Sequence, residues 1–204
     1  MGTAHVKFKT RDFLMGYSKA DKTESHDRIV HVAAARFREL GVNGIGVDGL
    51  MKEAGLTHGG FYRHFSSKEE LISEAIEKAL ADGSQKVVEA SGKSKDLRLD
   101  TLVNGYLSRL HCEDLANSCA VTTLAADVLR SNERARSAYT RQVEAYLNLL
   151  VGLIQGEEKA SRKKAIAILS TLVGALSMAR AVNDPKLSRE ILKSAIRELR
   201  SEKE

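Results

Sequence analysis

Apolar residues recur every three or four positions along most of this chain, which is the period of an amphipathic α-helix. The first segment with this period, about residues 23 to 40, has its apolar stripe at Ile29, Ala33, Phe37 and Leu40, and Gly41 ends it. Few β-branched runs, one proline and no tryptophan accompany the pattern, so we predict an all-α protein. The remaining helices are predicted at about residues 47–54, 58–65, 67–90, 97–112, 118–129, 131–154, 166–180 and 185–199.

Two of these helices are short and joined by a tight turn, between Val47 and Phe65. Gly55 suits the position after a helix, where the backbone takes a positive φ. Leu56 is the apolar turn residue expected to enter the core, and Thr57 is a good N-cap for the next helix. The spacing predicts a helix-turn-helix with a glycine in its turn.

The second of these helices carries side chains suited to DNA on its exposed side. Phe61 and Phe65 lie four apart and are expected to be buried together, so that Gly59 and Arg63 point away. Tyrosine, histidine and arginine donors serve phosphates and base edges. Two consecutive glycines each cost about 1 kcal/mol relative to alanine in a helix. They favour close approach to a partner such as DNA, although tight packing within the protein is the alternative.

The run from Ile29 to Leu71 resembles the DNA-binding domain of the TetR/AcrR family of one-component transcriptional regulators. The matching stretches are IVHVAAARFRELGVNG, VDGLMKEAGLTHGGFYRHF and SSKEEL. Three positions depart from the family, whose members usually have Ser or Thr at Gly46 and often have Thr at Ile45 and Asp or Glu at Gly49. A hydroxyl able to bind a DNA phosphate is therefore absent at Gly46, where glycine costs only a few tenths of a kcal/mol as an N-cap.

The resemblance implies a three-helix DNA-binding domain over residues 15–66 and a helical ligand-binding and dimerisation domain over residues 67–204. Residues 1–14 are expected to be a disordered extension, with an extended translation start or a basic arm for a minor groove as alternatives. The motif and the exposed polar pattern together give the expected DNA contacts, which are Thr57, His58, Gly59, Gly60, Tyr62, Arg63, His64 and Lys68.

The resemblance also implies that the last two helices pair with their copies in a four-helix dimer interface, and that the C-terminal domain holds a small-molecule pocket. Polar residues in the apolar stripes of the intervening helices are the pocket candidates, and each has a satisfied core or interface side chain as its alternative. These candidates are Tyr106, His111, Cys119, Thr122, Thr123, Asp127, Tyr139 and Tyr146.

Net charge adds little to this picture. The chain carries +5 at neutral pH, which is compatible with nucleic acid binding. Residues 15–66, however, hold seven Lys/Arg against six Asp/Glu. The case for DNA therefore depends on where charges point. No run of 18 apolar residues or signal peptide is found, so we expect a cytoplasmic protein without a membrane partner.

No pattern of a catalytic or metal site is found. Cys112 and Cys119 lie seven apart, which fits neither a disulfide framework nor a metal motif, although oxidant sensing stays open. We therefore expect no enzyme activity, cofactor or metal. The leading interpretation is a repressor released from a palindromic operator by a small molecule. The alternative is a helical ligand-binding or scaffold dimer with a decayed DNA-binding head, against which the complete HGGFYRH surface argues.

Overall fold

A computed structural model describes residues 19–93, 98–154 and 157–201, and every regular element there is a helix, as predicted. Residues 1–14, the predicted extension, lie outside the described part. The helices are α1 (Lys19–Leu40), α2 (Val47–Glu53), a 3₁₀ helix (His58–Arg63), α3 (Lys68–Lys93), α4 (Leu99–Tyr106), α5 (Arg109–Glu113), α6 (Ala120–Thr123), α7 (Ala125–Leu129), α8 (Glu133–Leu153), α9 (Glu158–Ala181) and α10 (Pro185–Ser201).

The N-terminal core forms where α1 packs on α3 and the short helices close over one end. The predicted apolar stripe is buried at Ile29, Ala33 and Phe37, with Phe61 and Phe65 also buried. Leu40, its fourth predicted member, is 53% exposed at the end of α1, so the stripe ends at Phe37. Gly55, after α2, has a φ of 71°. This left-handed conformation favours glycine and allows the chain to turn sharply into the 3₁₀ helix.

The C-terminal core lies between α8, α9, α10 and α4, with Leu150, Ile168 and Leu176 at its centre. α3 packs on both α1 and α8, so it belongs to both halves of the molecule. Because the N-terminal core also includes residues of α6 to α8, the division at residues 66 and 67 stays a prediction.

Two predicted helices are each two helices in the structure. The segment 97–112 divides into α4 and α5 because Ser108 caps α5, its Oγ accepting from the backbone N–H of His111 at 3.1 Å. The segment 118–129 divides into α6 and α7 at Leu124. α8 begins two residues later than the predicted segment 131–154. Asn132 caps that helix, and its side-chain oxygen accepts from the Ala135 N–H at 3.1 Å.

The second helix of the helix-turn-helix is a 3₁₀ helix rather than the expected α-helix, and it ends at Arg63. Thr57 holds its N-cap position, but its side chain forms no capping hydrogen bond. The backbone bonds span three residues, as in Gly60 N–H to Thr57 O at 3.0 Å. Two glycines, which are poor α-helix formers, account for this geometry in a segment this short.

One helix is long and apolar enough to be a weak membrane-span candidate. This is α9 over Lys159–Ala181, with a mean hydropathy of 1.4 in its most apolar window. A core helix of a soluble protein passes the same test, and α9 packs against α8 and α10 with Ile168, Leu172 and Leu176 buried. Its apolarity is therefore explained by the core that it forms.

Candidate DNA interface and internal cavity

The recognition surface is formed by the 3₁₀ helix, the residue on either side of it and the first residue of α3. It is defined as Thr57, His58, Gly59, Gly60, Tyr62, Arg63, His64 and Lys68. Five of its members are exposed, and Gly60, His64 and Lys68 are half-buried. Tyr62 is 72% exposed, whereas Phe61 beside it is only 1% exposed. The Tyr62 ring is therefore accessible to an external partner, and a phenol hydroxyl can donate a hydrogen bond to a phosphate.

The glycine pair is not required by packing within the protein. A Cβ atom built at Gly59 would meet no heavy atom of the described residues within 4 Å. One built at Gly60 would lie 3.7 Å from Met51 Cε, which is an ordinary van der Waals contact. The alternative that these glycines permit tight internal packing is therefore not supported. Open space at Gly59 leaves the backbone accessible to an external partner.

An acidic residue accompanies the recognition surface. Nδ1 of His58 contacts Oδ1 of Asp48, whose side chain is 82% exposed on α2. At the other side, Ser67 Oγ accepts from the Glu70 N–H at 3.2 Å, while the Glu70 carboxylate accepts from the Ser66 N–H at 2.6 Å. These two bonds form a capping box whose return bond goes to Ser66 rather than to Ser67, and they fix the start of α3, where Lys68 lies.

His64 faces the protein more than the sequence indicates. Its ring lies 6.1 Å from that of His26, which stacks on Phe65 and bonds Glu74 at 2.8 Å. His64 Nδ1 is buried and has no hydrogen-bond partner in the described residues. Burial of the ring lowers the pKa of His64, and the electrostatic effect of His26 lowers it further to a smaller extent. A neutral imidazole at this place leaves only its other nitrogen to contact DNA.

A cavity of about 440 Å³ lies between α3, α4, α8, α9 and the segment from α5 to α6. This volume is within the usual range of small-molecule sites, about 300–1,000 Å³. None of the described residues that line it carries an Asp, Glu, Lys or Arg side chain. They are Gly83, Thr101, Leu102, Gly105, Tyr106, His111, Asn117, Ser118, Cys119, Tyr146, Leu149, Leu150, Leu169 and Leu172.

Four of the eight predicted pocket residues line this cavity: Tyr106, His111, Cys119 and Tyr146. The other four do not, because their side chains serve other contacts. The Thr122 hydroxyl bonds that of Tyr106 at 2.7 Å, and Thr123 Oγ1 donates to the carbonyl oxygen of Cys119 at 3.3 Å. Asp127 accepts from the Val42 N–H at 3.3 Å. Tyr139 donates to the carbonyl oxygen of Val121 at 2.9 Å.

The polar groups of the cavity gather at the segment from α5 to α6. His111 is held as a neutral tautomer, since Nδ1 faces the Tyr106 carbonyl at 2.6 Å and Nε2 accepts the Cys119 N–H at 3.1 Å. Burial raises the pKa of the Tyr106 and Tyr146 phenols, which therefore stay protonated. The wall itself is thus uncharged at neutral pH.

One charged residue lies directly behind this polar end and was missed by the sequence reasoning. Arg180, in the last turn of α9, donates to the carbonyl oxygens of His111 and Cys112 and to Ser118 Oγ, at 2.5, 3.1 and 2.5 Å. Burial lowers the pKa of Arg180, although a guanidinium stays charged at neutral pH. An arginine in register with the apolar stripe of α9 was the available signal.

The two cysteines are free thiols, with Cys119 buried and Cys112 half-buried. Cys119 Sγ lies 3.8 Å from the Tyr146 hydroxyl, at the cavity wall. Across the described residues, no group of three or more His, Cys, Asp and Glu side chains is placed to hold a metal ion.

An all-helical chain with an exposed helix-turn-helix and a separate internal cavity has the architecture of a one-component transcriptional regulator. Residues 29–75 match the family described as bacterial regulatory proteins, tetR family. Over 84 residues the chain is 31% identical to the HTH-type transcriptional repressor KstR2 of Rhodococcus jostii (strain RHA1). That match covers 40% of this chain and 41% of the relative, so it spans about two fifths of each protein.

Solved structures extend the likeness to nearly the whole fold. A TetR-family regulator from Cytophaga hutchinsonii is similar with a TM-score of 0.70 and 19% identity, over 90% of this chain and 96% of that one. The reduced form of E. coli NemR is similar with a TM-score of 0.68 and 22% identity, over 87% and 96% of the two chains. Together these comparisons support a TetR-family transcriptional regulator, with the family match itself confined to residues 29–75.

Proposed function

We propose that this protein is a cytoplasmic repressor that binds a near-palindromic operator as a homodimer and leaves it when a small, mostly apolar molecule binds the cavity. The observation that carries this proposal is the exposed recognition surface. Tyr62 and Arg63 lie in solvent, and Gly59 keeps the backbone open although no internal contact requires it. Residues held in this way serve an external partner, and their donors match phosphates and base edges.

Dimerisation would place two recognition surfaces on successive major-groove faces, about one helical turn apart. α9 and α10 pack on each other and still leave large apolar side chains in solvent. Ile166, Met178 and Leu187 are 46%, 55% and 42% exposed. A second copy of these two helices would cover them in a two-fold symmetric interface.

The release step depends on α3. This helix begins beside the recognition surface, and Gly83, further along it, lines the cavity. A ligand that prefers a shifted α3 would change the spacing of the two recognition surfaces. The expected coupling between ligand and operator is about 1–3 kcal/mol, and it is reciprocal.

The test begins with selection of bound duplexes from a random DNA pool, followed by anisotropy titrations of the enriched sequence at fixed salt. We expect a near-palindrome, and we expect Tyr62→Phe to weaken its binding without a change in Tm, since the hydroxyl is on an exposed ring. Arg109→Ala, which alters an exposed residue of α5, is the control and should bind as wild type. If no sequence is enriched over random DNA, the alternative of a scaffold or ligand-binding dimer with a decayed head is correct instead.

A further inference from the structure

We propose that the cavity takes an amphipathic monoanion, an apolar body with one carboxylate, and that the carboxylate lies at the end formed by Ser118 and His111 in front of Arg180. The inference rests on the proposed ligand-binding role of this cavity and names the chemical class of its ligand. Three features carry it: the charge of Arg180, the long hydrogen bond that the Ser118 hydroxyl makes to His111 at 3.3 Å, and the placement of the lining leucines on helices other than the segment from α5 to α6.

Arg180 is a half-buried cation whose hydrogen-bond partners are all neutral. Its guanidinium bonds two backbone carbonyls and the Ser118 hydroxyl, and it forms no ion pair in the described part of the chain. Nη1 is buried there without a hydrogen-bond partner. A partly buried charge without a countercharge loses hydration that neutral partners replace only in part. The carbonyls at the end of α5 offset only part of that charge, so an incoming anion would complete the site.

Ser118 lines the cavity and also bonds Arg180, so it joins the guanidinium to the cavity wall. Its Oγ accepts from Arg180 at 2.5 Å, so its own hydrogen must point elsewhere. The protein acceptor available to it is Nε2 of His111, at a long 3.3 Å, and that nitrogen already accepts the Cys119 N–H at 3.1 Å. A carboxylate oxygen is a better acceptor than this shared nitrogen, because hydrogen bonds to ionised groups are shorter and stronger.

The rest of the cavity fits an apolar body. The leucines that line it lie on α4, α8 and α9, outside the segment from α5 to α6, and are Leu102, Leu149, Leu150, Leu169 and Leu172. The uncharged lining would also accept a wholly neutral ligand of similar shape. The two ligand classes differ in how they respond to Arg180, since only the anion gains from the guanidinium.

The experiment compares saturated carboxylates with primary alcohols of equal chain length, from six to fourteen carbons. Each compound displaces Nile red, a neutral fluorescent probe, from the full chain at pH 7.5 without DNA. We expect the best carboxylate to bind at least tenfold more tightly than its matched alcohol. Ser118→Ala and Arg180→Gln should remove that preference and leave alcohol binding within twofold of wild type. Leu149→Ala, at one of the lining leucines, is the control and should weaken both compounds equally.

Arg180 also holds the end of α5, so circular dichroism and Tm accompany each variant. If Arg180→Gln does not fold, Ser118→Ala carries the test, since it removes only the hydroxyl. The proposal is overturned if the alcohol binds as tightly as its matched carboxylate or more tightly. It is also overturned if Ser118→Ala keeps the preference for the carboxylate, or if neither series of compounds displaces Nile red. Operator release is measured separately. A carboxylate that binds without releasing DNA contradicts the proposed effector role alone, whereas an alcohol that releases DNA more effectively contradicts the ligand class alone.

Discussion

Arg38, on α1, donates a hydrogen bond from Nε to the carbonyl oxygen of Ala116 at 2.6 Å. The side chain is almost fully buried, and its Nη1 also donates to the carbonyl of Ala79 on α3 at 3.2 Å. Ala116 is followed directly by residues 117–119, which line the cavity. One side chain of the DNA-binding half therefore holds both the cavity wall and the helix that joins the two halves.

This contact predicts that Arg38→Lys weakens the coupling between ligand and operator. A lysine keeps the charge but cannot bond the Ala116 and Ala79 carbonyls together as a guanidinium does. Movement of the cavity wall would therefore shift α1 and α3 less. The measurement is the ratio of operator Kd with and without saturating ligand, which we expect to fall at least threefold. A loss of stability of about 1–3 kcal/mol accompanies it, because a buried carbonyl loses its donor. Arg28→Lys, at an exposed arginine on the same helix, is the control; an unchanged ratio in Arg38→Lys would exclude this route.

The recognition surface predicts different effects for its two cations. Arg63 is exposed on the 3₁₀ helix, where its fork can read a guanine edge, so Arg63→Ala should relax sequence preference by about 1–3 kcal/mol. Lys68, at the start of α3, is placed for a phosphate, so Lys68→Ala should weaken all sequences alike and lower the salt slope by about 1. Titrations against operator and random DNA at several salt concentrations separate the two. Equal losses on both DNAs for Arg63→Ala would contradict base readout.

Gly59→Ala should reduce operator binding while leaving the protein as stable as wild type or slightly more stable. Its Cβ would meet nothing within 4 Å in the described residues, and alanine favours helical backbone by up to about 1 kcal/mol. The added methyl group would instead meet the DNA. Gly46→Ser is the matched control for a small added group nearby. It should not weaken binding, because it supplies the hydroxyl that related proteins use as an N-cap. Full operator affinity in Gly59→Ala would show that the backbone does not approach DNA at this point.

Much of the fold was predictable because helix periodicity and stop signals are local. The stripe of α1 up to Phe37 and the turn at Gly55 are each determined by a few neighbouring residues. The breaks at Ser108 and Leu124 were missed, since the apolar period continues across both. The break at Ser108 occurs because the Ser108 side chain caps α5.

The cavity was only half predictable for a related reason. Tyr106 and Tyr146 were predicted because each is a polar residue within an apolar stripe, and both line the cavity. That pattern does not show, however, whether a given side chain faces the cavity. Asp127 is polar in the same way and instead binds the backbone after α1, 85 residues away in the chain. Arg180 and Ser118 were missed because their importance comes from a contact between α9 and the segment from α5 to α6, which no local pattern records.

His64 predicts a pH dependence of stability. Its pKa in the folded protein is below the ordinary value of about 6.5, so below that pH the unfolded chain binds a proton that the folded chain does not. Stability is therefore lost as pH falls below about 6.5, and the loss levels off once folded His64 is protonated as well. His64→Gln should lose less stability between pH 7 and pH 5 in urea titrations. His31→Gln, at an exposed histidine of α1, is the control, and equal losses in His64→Gln and wild type would contradict the assignment.

The last prediction concerns the dimer. Met178 is 55% exposed on α9, whereas Leu176, two residues earlier, is fully buried within the protomer. Met178→Glu should therefore give folded monomers, because the new charge would be buried only in the interface between copies. Leu176→Glu should instead destabilise the protomer itself, since it buries an unpaired charge in the core. Light scattering at micromolar concentration, with circular dichroism as the check on folding, distinguishes the two. A wild-type monomer, or a Met178→Glu dimer as stable as wild type, would mean that α9 and α10 do not form the interface.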